Sequence, residues 1–419
     1  MEAAVGQLKV GKSLALLVGA VFILVVAVLL HVEYLYYMSL ALGVTPIVAY
    51  ATGRLTLRAV VARRECQAVA KAGERIPMRL TLTNTAPART GLMVVRDHLP
   101  SGLEAEGATE RYVMDIAPGE TVAVHYPLLA RRRGVYHLGY VDLLCTDPLG
   151  LFNYEQEKTA EGLLVVHPRA IPLPRVRPPA AGMLVTNRLR ARKRGEGTDF
   201  AGVREYTPGD DLRRIHWKAT ARRGKLTVVE YESGEANNVA VALDLSPQYH
   251  AGEGDEHTLE YGVTLAASIA AQCLRRGSEF SLVAEGHGSH SHRSLISEQA
   301  EPTVMDALAR VRATAAEPFA RTLAAFEPWL PPGSGVVVIS PAVGPDAVAA
   351  ARRLVALGHG VLWVSLVGSS FAANGQRPPA DEGAYEELAH GLAGARCAVR
   401  QIRRGDSLAL RMGVSLGAR

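Results

Sequence analysis

A chain of 419 residues exceeds what one ordinary hydrophobic core organises, so two or three domains are expected. Its net charge of +5 is a mild basic excess, and much of it flanks the apolar N-terminal segments, which favours contact with a membrane surface over nucleic-acid binding. The four cysteines, Cys66, Cys145, Cys273 and Cys397, have no paired spacing. That argues against a disulfide framework or a cysteine zinc site and fits isolated thiols in a reducing compartment.

Ser13 to Leu30 carries no charge and matches a hydrocarbon core in length at the helical rise. A second uncharged run, Tyr34 to Thr52, follows after His31, Val32 and Glu33, with Pro46 inside it. A cleaved signal peptide is the competing reading, but no small-residue cleavage site follows Leu30. Lys9 and Lys12 precede the first run, Arg54, Arg58, Arg63 and Arg64 follow the second, and the short connection holds no Lys or Arg. By the positive-inside rule both ends, and the rest of the chain, are expected in the cytoplasm, with Tyr34, Tyr36 and Tyr37 at the far interface.

From about residue 60 to 175, short period-two runs such as Met78–Thr83, Met93–Arg96 and Thr121–Tyr126 alternate with turn residues. Asn84-Thr85-Ala86-Pro87 and Ala117-Pro118-Gly119-Glu120 are examples of those turns, and the pattern predicts a small antiparallel β-sandwich. Arg131 to Arg133 are read as a solvated strand end. The prolines at 172, 174, 178 and 179 mark a stiff linker, followed by a basic stretch from Arg188 to Arg194 without the interleaved aromatics of a nucleic-acid reader.

Charged, aromatic and turn-forming residues are densest from Gly195 to Glu232. Thr207-Pro208-Gly209 predicts a turn, Asp210 a helix N-cap, and Leu212, Ile215, His216 and Ala219 one helical face. Arg222 and Arg223 fit the last turn of that helix and Gly224 the residue just past it, with a strand from Leu226 to Tyr231. On this reading Trp217 is a packed anchor. The run Gly195-x-Gly197-x-Asp199-Phe200, Arg204-x-Tyr206, Pro208-Gly209-Asp210-Asp211-x-Arg213-x-Ile215-x-Trp217, Ala221-Arg222 and Tyr231-Glu232 resembles the signature of the bacterial family known as domain of unknown function 58. Arg133-Gly134-x-Tyr136 and Asp147-Pro148-x-Gly150-Leu151 resemble further elements of the same family. The resemblance implies a recognition surface built from Asp199, Arg204, Tyr206, Asp210, Arg213, Trp217, Arg222 and Glu232.

Beyond Asn238, apolar strands (Val239–Leu243, Phe280–Ala284, Val336–Ile339, Val361–Val367) alternate with helices (His257–Arg276, Pro345–Leu357), which predicts a doubly wound α/β sheet. Asp244-Leu245-Ser246-Pro247-Gln248 is similar to the Asp-x-Ser-x-Ser motif of von Willebrand factor A domains. That similarity implies a Mg2+ site at Asp244 and Ser246 in degenerate form: Gln248 replaces the second serine, Ser340-Pro341 stands where an acid is expected, and Thr314 is the candidate threonine ligand. His287, His290 and His292 are read as an exposed hairpin tip.

The expected fold class is thus multidomain: a two-helix transmembrane hairpin (1–54), an antiparallel β-sandwich (55–175), a linker with the signature segment (176–237) and a von Willebrand factor A-like α/β domain (238–419). The resemblance implies an adaptor or scaffold at the bacterial inner membrane, partnered with a MoxR-type AAA+ ATPase or its client and with a transglutaminase-like membrane protein. Two other readings are a hydrolase using Asp199, Asp210 and His216, and a basic lipid- or nucleic-acid-binding module using Arg188 to Arg194. More weight goes to a non-enzymatic role, because no nucleophile elbow, phosphate loop or Cys/His pair is visible.

Overall fold

The computed structural model describes residues 2–107, 110–113, 115–147, 150–174, 199–207, 215–232, 238–284, 290–294, 300–331, 333–372 and 378–413. These form two compact units, Met1–His167 and Pro168–Arg419.

The first unit opens with two helices, α1 (Glu2–Leu30) and α2 (Glu33–Arg58), both long and apolar enough to cross a membrane. His31, at φ 52°, turns the chain between them. The helices pack through small residues: Gly43 faces Ala20, and the Ser39 hydroxyl donates to the Ala20 carbonyl at 2.7 Å. Close backbone approach and a hydrogen bond between helices are what hold apolar helices together where lipid removes the hydrophobic drive.

Only Ala59 separates α2 from the first strand of a two-sheet domain. Its strands are β1 (Val60–Glu65), β2 (Val69–Lys71), β3 (Arg75–Asn84), β4 (Met93–Asp97), β5 (Leu103–Ala105), β6 (Glu110–Val113), β7 (Thr121–Ala130), β8 (Gly134–Thr146) and β9 (Asn153–His167). One sheet runs β1-β3-β7-β5 and the other β2-β9-β8-β4-β6. Alternate residues of β1 and β3, buried on one face, meet Met93, Val95, Leu138, Leu143 and Leu164 in a single core. The pairing is antiparallel except at the edge, where β2 lies parallel to β9. A three-residue edge strand has too little length to show a period in sequence. Arg64 is buried here, paired with Asp97 and donating to the Ala160 carbonyl, while Tyr126 donates to the same Asp97. The charge is tolerated because each partner is hydrogen-bonded.

α2 is seated on this domain. Tyr154 packs over Gly53 and donates to the Ala49 carbonyl at 3.1 Å. A Cβ at position 53 would clash with the edge of the Tyr154 ring. Gly53→Ala is therefore expected to unseat Tyr154 and destabilise this unit by about 2 kcal/mol. Tyr154→Phe, which loses one hydrogen bond, should cost about 1 kcal/mol. Urea unfolding of the full chain in nanodiscs, followed by tyrosine-sensitive near-ultraviolet dichroism, ranks the two; an indifferent Gly53→Ala would show that the seat is loose.

The second unit begins with an irregular stretch at 168–174. Ile171 donates its amide to the Ser268 hydroxyl and Gln272 donates to the carbonyls of Leu173 and Pro174. The remaining proline-rich and basic residues, 175–198, lie outside the described residues. A hairpin of β10 (Asp199–Glu205) and β11 (Thr227–Glu232) encloses a short helix, α3 (Trp217–Arg223).

There follow β12 (Val239–Leu243), the two-residue strands β13 (Gly252–Glu253) and β14 (Glu256–His257), α4 (Thr258–Leu274), β15 (Phe280–Ala284) and β16 (His290–Ser294). The chain continues through α5 (Ala300–Arg310), α6 (Phe319–Phe326), β17 (Gly335–Ser340), α7 (Pro345–Ala356), β18 (Gly360–Leu366), α8 (Gly368–Phe371), α9 (Glu382–Gly394), β19 (Ala398–Ile402) and α10 (Leu408–Gly413). The six-stranded sheet has the order β16-β15-β12-β17-β18-β19. It is parallel except for β16, which pairs antiparallel with β15. β12, β17 and β18 are buried on both faces, as their unbroken apolar sequence requires. One core lies under α4 and α5, the other under α6, α7 and α9.

Several expectations are corrected. His290 and His292 stand on β16, opposite Ala284 and Leu282, rather than at a hairpin tip; His287 lies outside the described residues. The described helix starts at Trp217, because Ile215 bridges Val228; Asp210, the expected N-cap, lies outside the described residues. A residue committed to strand pairing cannot also close a helical turn. Among the described residues the cysteines are free thiols, and burial pushes Cys145, Cys273 and Cys397 each up to about 11, so they are inert at neutral pH.

Candidate functional site

Two places gather the expected site residues. The first is the signature hairpin. β10 and β11 pair antiparallel with Asp199 opposite Glu232, Arg204 opposite Val228, and an irregularity between Phe200 and Gly202. Tyr206 continues the ladder, its amide donating to the Leu226 carbonyl at 2.8 Å. On the other side of β11, Ile215 bridges Val228 and the His216 amide donates to the Thr227 carbonyl at 2.8 Å. β11 is thus held from both sides, by β10 and by the short stretch that leads into α3.

α3 is fixed at both ends. The Nδ1 atom of His216 accepts from the Ala219 amide at 3.0 Å, an N-cap supplied by imidazole instead of a carboxylate. Gly224, left-handed at φ 67°, closes the C-terminus by donating to the Thr220 carbonyl, as its sequence position predicts. Thr220 also accepts from the Thr227 amide at 3.0 Å, so the helix is tied to the strand after it. A seven-residue helix has little intrinsic stability, and these caps and ties are what hold it.

Trp217 is not the packed anchor the sequence suggests: it is 70% exposed. Lys218 and Arg222 are exposed beside it on α3. Glu205, at the adjacent end of β10, pairs with Lys225 at 2.9 Å. Asp210 and Arg213 fall outside the described residues. The hairpin therefore separates its signature residues: Asp199 and Glu232 at the open end, Trp217 and Arg222, with Lys218 beside them, at the helical end. The six strand residues Thr227 to Glu232 span five steps, about 17 Å. Asp199 and His216 accordingly do not share a pocket, and the His216 ring is already occupied as a cap.

The second place is the carboxyl edge of the six-stranded sheet. Chain order reverses between β12 and β17, and open α/β sheets bind ligands at such a switch point. Asp244 stands there, just after β12, with 0% exposure. Its Oδ1 accepts from the Ser246 amide at 2.9 Å, an Asx turn, and its Oδ2 accepts from the Ser340 hydroxyl at 2.6 Å. Ser340 in turn accepts from the Ala342 amide at 2.9 Å. Burial pushes the Asp244 carboxyl above its usual range, against the pull of the Ser340 hydroxyl and the Ser246 amide.

His250 closes the loop from behind. It bridges the Asp244 carbonyl through Nε2 and the Thr258 hydroxyl through Nδ1, each at 2.9 Å. A carbonyl only accepts, so Nε2 carries the proton and Nδ1 accepts from Thr258. Tyr385 roofs the neighbouring loops, accepting from the Gly368 amide at 2.9 Å and donating to the Pro341 carbonyl at 3.3 Å. Thr314 lies on the segment whose next residue, Ala315, donates its amide to Leu245.

A magnesium ion does not fit these residues well. Mg2+ takes near-octahedral oxygen coordination with several retained waters. Here the single carboxylate is wholly enclosed and both its oxygens already accept hydrogen bonds, while a serine stands at the position of a second acid. The buried Ser246 hydroxyl lies beside it and favours its charged form. Among the described residues no group of three or more His, Cys, Asp or Glu side chains could hold a metal. Asp244 acts here as a staple joining two strands at the switch point. Ser340 and His250 complete it; the serine was visible in sequence only as a missing acid, and the histidine gave no signal.

The second unit is therefore a largely parallel α/β domain bearing an exposed aromatic–basic helix, in a chain that begins with two apolar helices. Residues 202–370 match the model of the family described as "Protein of unknown function DUF58". The chain is also similar to "Uncharacterized protein YeaD" of Bacillus subtilis (strain 168), 27% identical over 260 residues, a match covering 60% of this chain and 62% of the relative. Less than two thirds of that relative's length is thus matched. Among solved structures, E. coli alpha-2-macroglobulin in its native conformation aligns at TM-score 0.21 with 19% identity, covering 26% of this chain and 7% of that one. A cohesin module from a Clostridium perfringens family 33 glycoside hydrolase aligns at 0.18 with 9% identity, covering 26% of this chain and 98% of the module. Scores so low carry no argument about fold.

Proposed function

We propose that this chain is a membrane-anchored docking protein that binds a MoxR-type AAA+ ATPase, or that ATPase's client, through the signature hairpin. The observation that carries this is the exposed Trp217 beside Lys218 and Arg222 on a helix fixed at both ends. Trp and Arg dominate binding hot spots, and a rigid mount lowers the entropy lost on binding. The family resemblance supplies the ATPase as partner class, and a transglutaminase-like membrane protein as a further associate. The sheet order, with its antiparallel edge strand, supports a von Willebrand factor A-like reading of the α/β domain. Lys12 before the first span, Arg54 and Arg58 after the second, and the uncharged connection support cytoplasmic placement of the soluble domains at the inner membrane.

The test is capture of the tagged full-length chain from native membranes with a non-hydrolysable ATP analogue. Wild type is expected to enrich a MoxR-type ATPase. Trp217→Ala is expected to lower that enrichment by about thirtyfold, a hot-spot loss of about 2 kcal/mol. Because Trp217 is exposed, its thermal unfolding should stay within about 0.5 kcal/mol of wild type. Undiminished capture by Trp217→Ala, or no ATPase with folded wild type, would overturn the proposal.

A further inference from the structure

The join between α2 and the two-sheet domain has a chemistry of its own. Tyr50, Phe152 and Tyr154 form an aromatic cluster, with ring centroids 5.6 Å apart for Tyr50 and Phe152 and 6.1 Å for Tyr50 and Tyr154. Asp147 shapes the loop that delivers Phe152, accepting the Phe152 amide at 2.6 Å and the Gly150 amide, through its carbonyl, at 2.9 Å. Arg54 lies over the Tyr50 ring at 6.0 Å and donates to its hydroxyl at 2.7 Å. Lys158 donates to the Arg58 carbonyl at the end of α2 at 2.8 Å, and Arg54, Leu55 and Arg58 are exposed.

The depth of this cluster decides what surrounds it. From Arg58 back to Ala49, where the Tyr154 hydroxyl is bonded, is about 14 Å at the helical rise. A helix entering the bilayer at Glu33 crosses a hydrocarbon core of about 30 Å by residue 52 or 53. Tyr50, Phe152 and Tyr154 then sit at the boundary layer, and Arg54, Arg58 and Lys158 at the level of the phosphates. Ala59 alone cannot lift the domain away. Along β9, Tyr154, Gln156 and Lys158 face one way while the exposed Glu155 and Glu157 face the other, so the acids of that strand are turned from the cluster.

We infer that this aromatic–basic collar is a binding surface for anionic phospholipid headgroups, which clamps the two-sheet domain against the bilayer. Aromatic rings suit the interfacial layer, and each cation near an anionic surface adds attraction. The inference rests on the anchor reading of α1 and α2, and the experiment separates the two. The full chain is reconstituted in vesicles of phosphatidylcholine, alone or with phosphatidylglycerol, with bromine on the acyl chains of either lipid. Phe152→Trp adds a reporter at the collar. Val69→Trp, 47% exposed at the other end of β9, where it pairs with Val165, is the control about 40 Å away.

The added fluorescence of Phe152→Trp is expected to be quenched, more by brominated phosphatidylglycerol than by brominated phosphatidylcholine, while that of Val69→Trp is not. Arg54→Gln with Arg58→Gln should lower the preference for phosphatidylglycerol by up to about fivefold for each charge removed. If Phe152→Trp is unquenched, or quenched equally by both lipids, in protein that still floats with the vesicles, the headgroup surface is refuted and the anchor stands. Quenching of Val69→Trp to the same extent would likewise refute it. Failure of the wild type to float would remove the anchor and the collar together.

Discussion

Asp244→Ala is expected to lower the stability of the α/β unit by about 3 kcal/mol. The substitution deletes the acceptor of the Ser340 hydroxyl and of the Ser246 amide, both at positions that water does not reach. Each stranded donor costs about 1–3 kcal/mol, and relief from burying a carboxylate returns part of the sum. Ser340 cannot simply turn away, because its oxygen is held by the Ala342 amide. For a unit of this size the melting temperature should fall by about 6–12 °C. Asp244→Asn keeps an acceptor for Ser246 and should cost about 1 kcal/mol. The three tryptophans, Trp217, Trp329 and Trp363, all lie in the second unit, so their fluorescence follows its unfolding in the intact chain. If Asp244 served a metal instead, a chelator would lower the wild-type melting temperature and Asp244→Ala would be no worse than Asp244→Asn. The staple requires an unmoved wild type under chelator and a clear gap between the variants.

That staple also marks how far sequence can be read. The two apolar runs, the alternating strands before residue 170 and the βα alternation after 238 were legible because each is a local period. Gly224 was legible as a helix stop for the same reason. The Asp244–Ser340 bond was not: it needs β12 and β17 side by side, and β15 and β16 lie between them in the chain. The spacing of Ile215 suggests a helical face, yet Ile215 pairs with Val228 and tertiary pairing prevails over the local signal. Trp217 was misplaced because an aromatic residue on a short helix packs inward or faces a partner with identical spacing. Only its exposure separates the two. The seat of α2 hinged on Gly53, whose need for a missing side chain is set by Tyr154 across the fold.

Acidification should destabilise the α/β unit through His250, and a variant isolates that share. Burial and, next to it, His257 lower the His250 pKa from 6.5 to about 4, against the pull of the Asp244 carbonyl. The unfolded chain therefore binds a proton that the folded one resists. The stabilising share is complete above about pH 6.5 and is lost as pH falls toward about 4, a window worth about 3 kcal/mol. The mechanism is local: protonating Nδ1 destroys the acceptor for the Thr258 hydroxyl at the start of α4, and the loop after β12 loses its brace. Asp244 works in the opposite direction, since a carboxyl raised by burial favours folding below its unfolded value and loses that share as pH rises. Comparing wild type with His250→Gln cancels that contribution and those of the other histidines. The glutamine amide can still donate to the Asp244 carbonyl, so the variant should fold with a lower plateau. Denaturant titrations at pH 8 and pH 4.5 should show wild type losing up to about 3 kcal/mol more than His250→Gln. Parallel losses in the two proteins would mean that His250 is charged in the folded state and that the bond to Thr258 is not made as described.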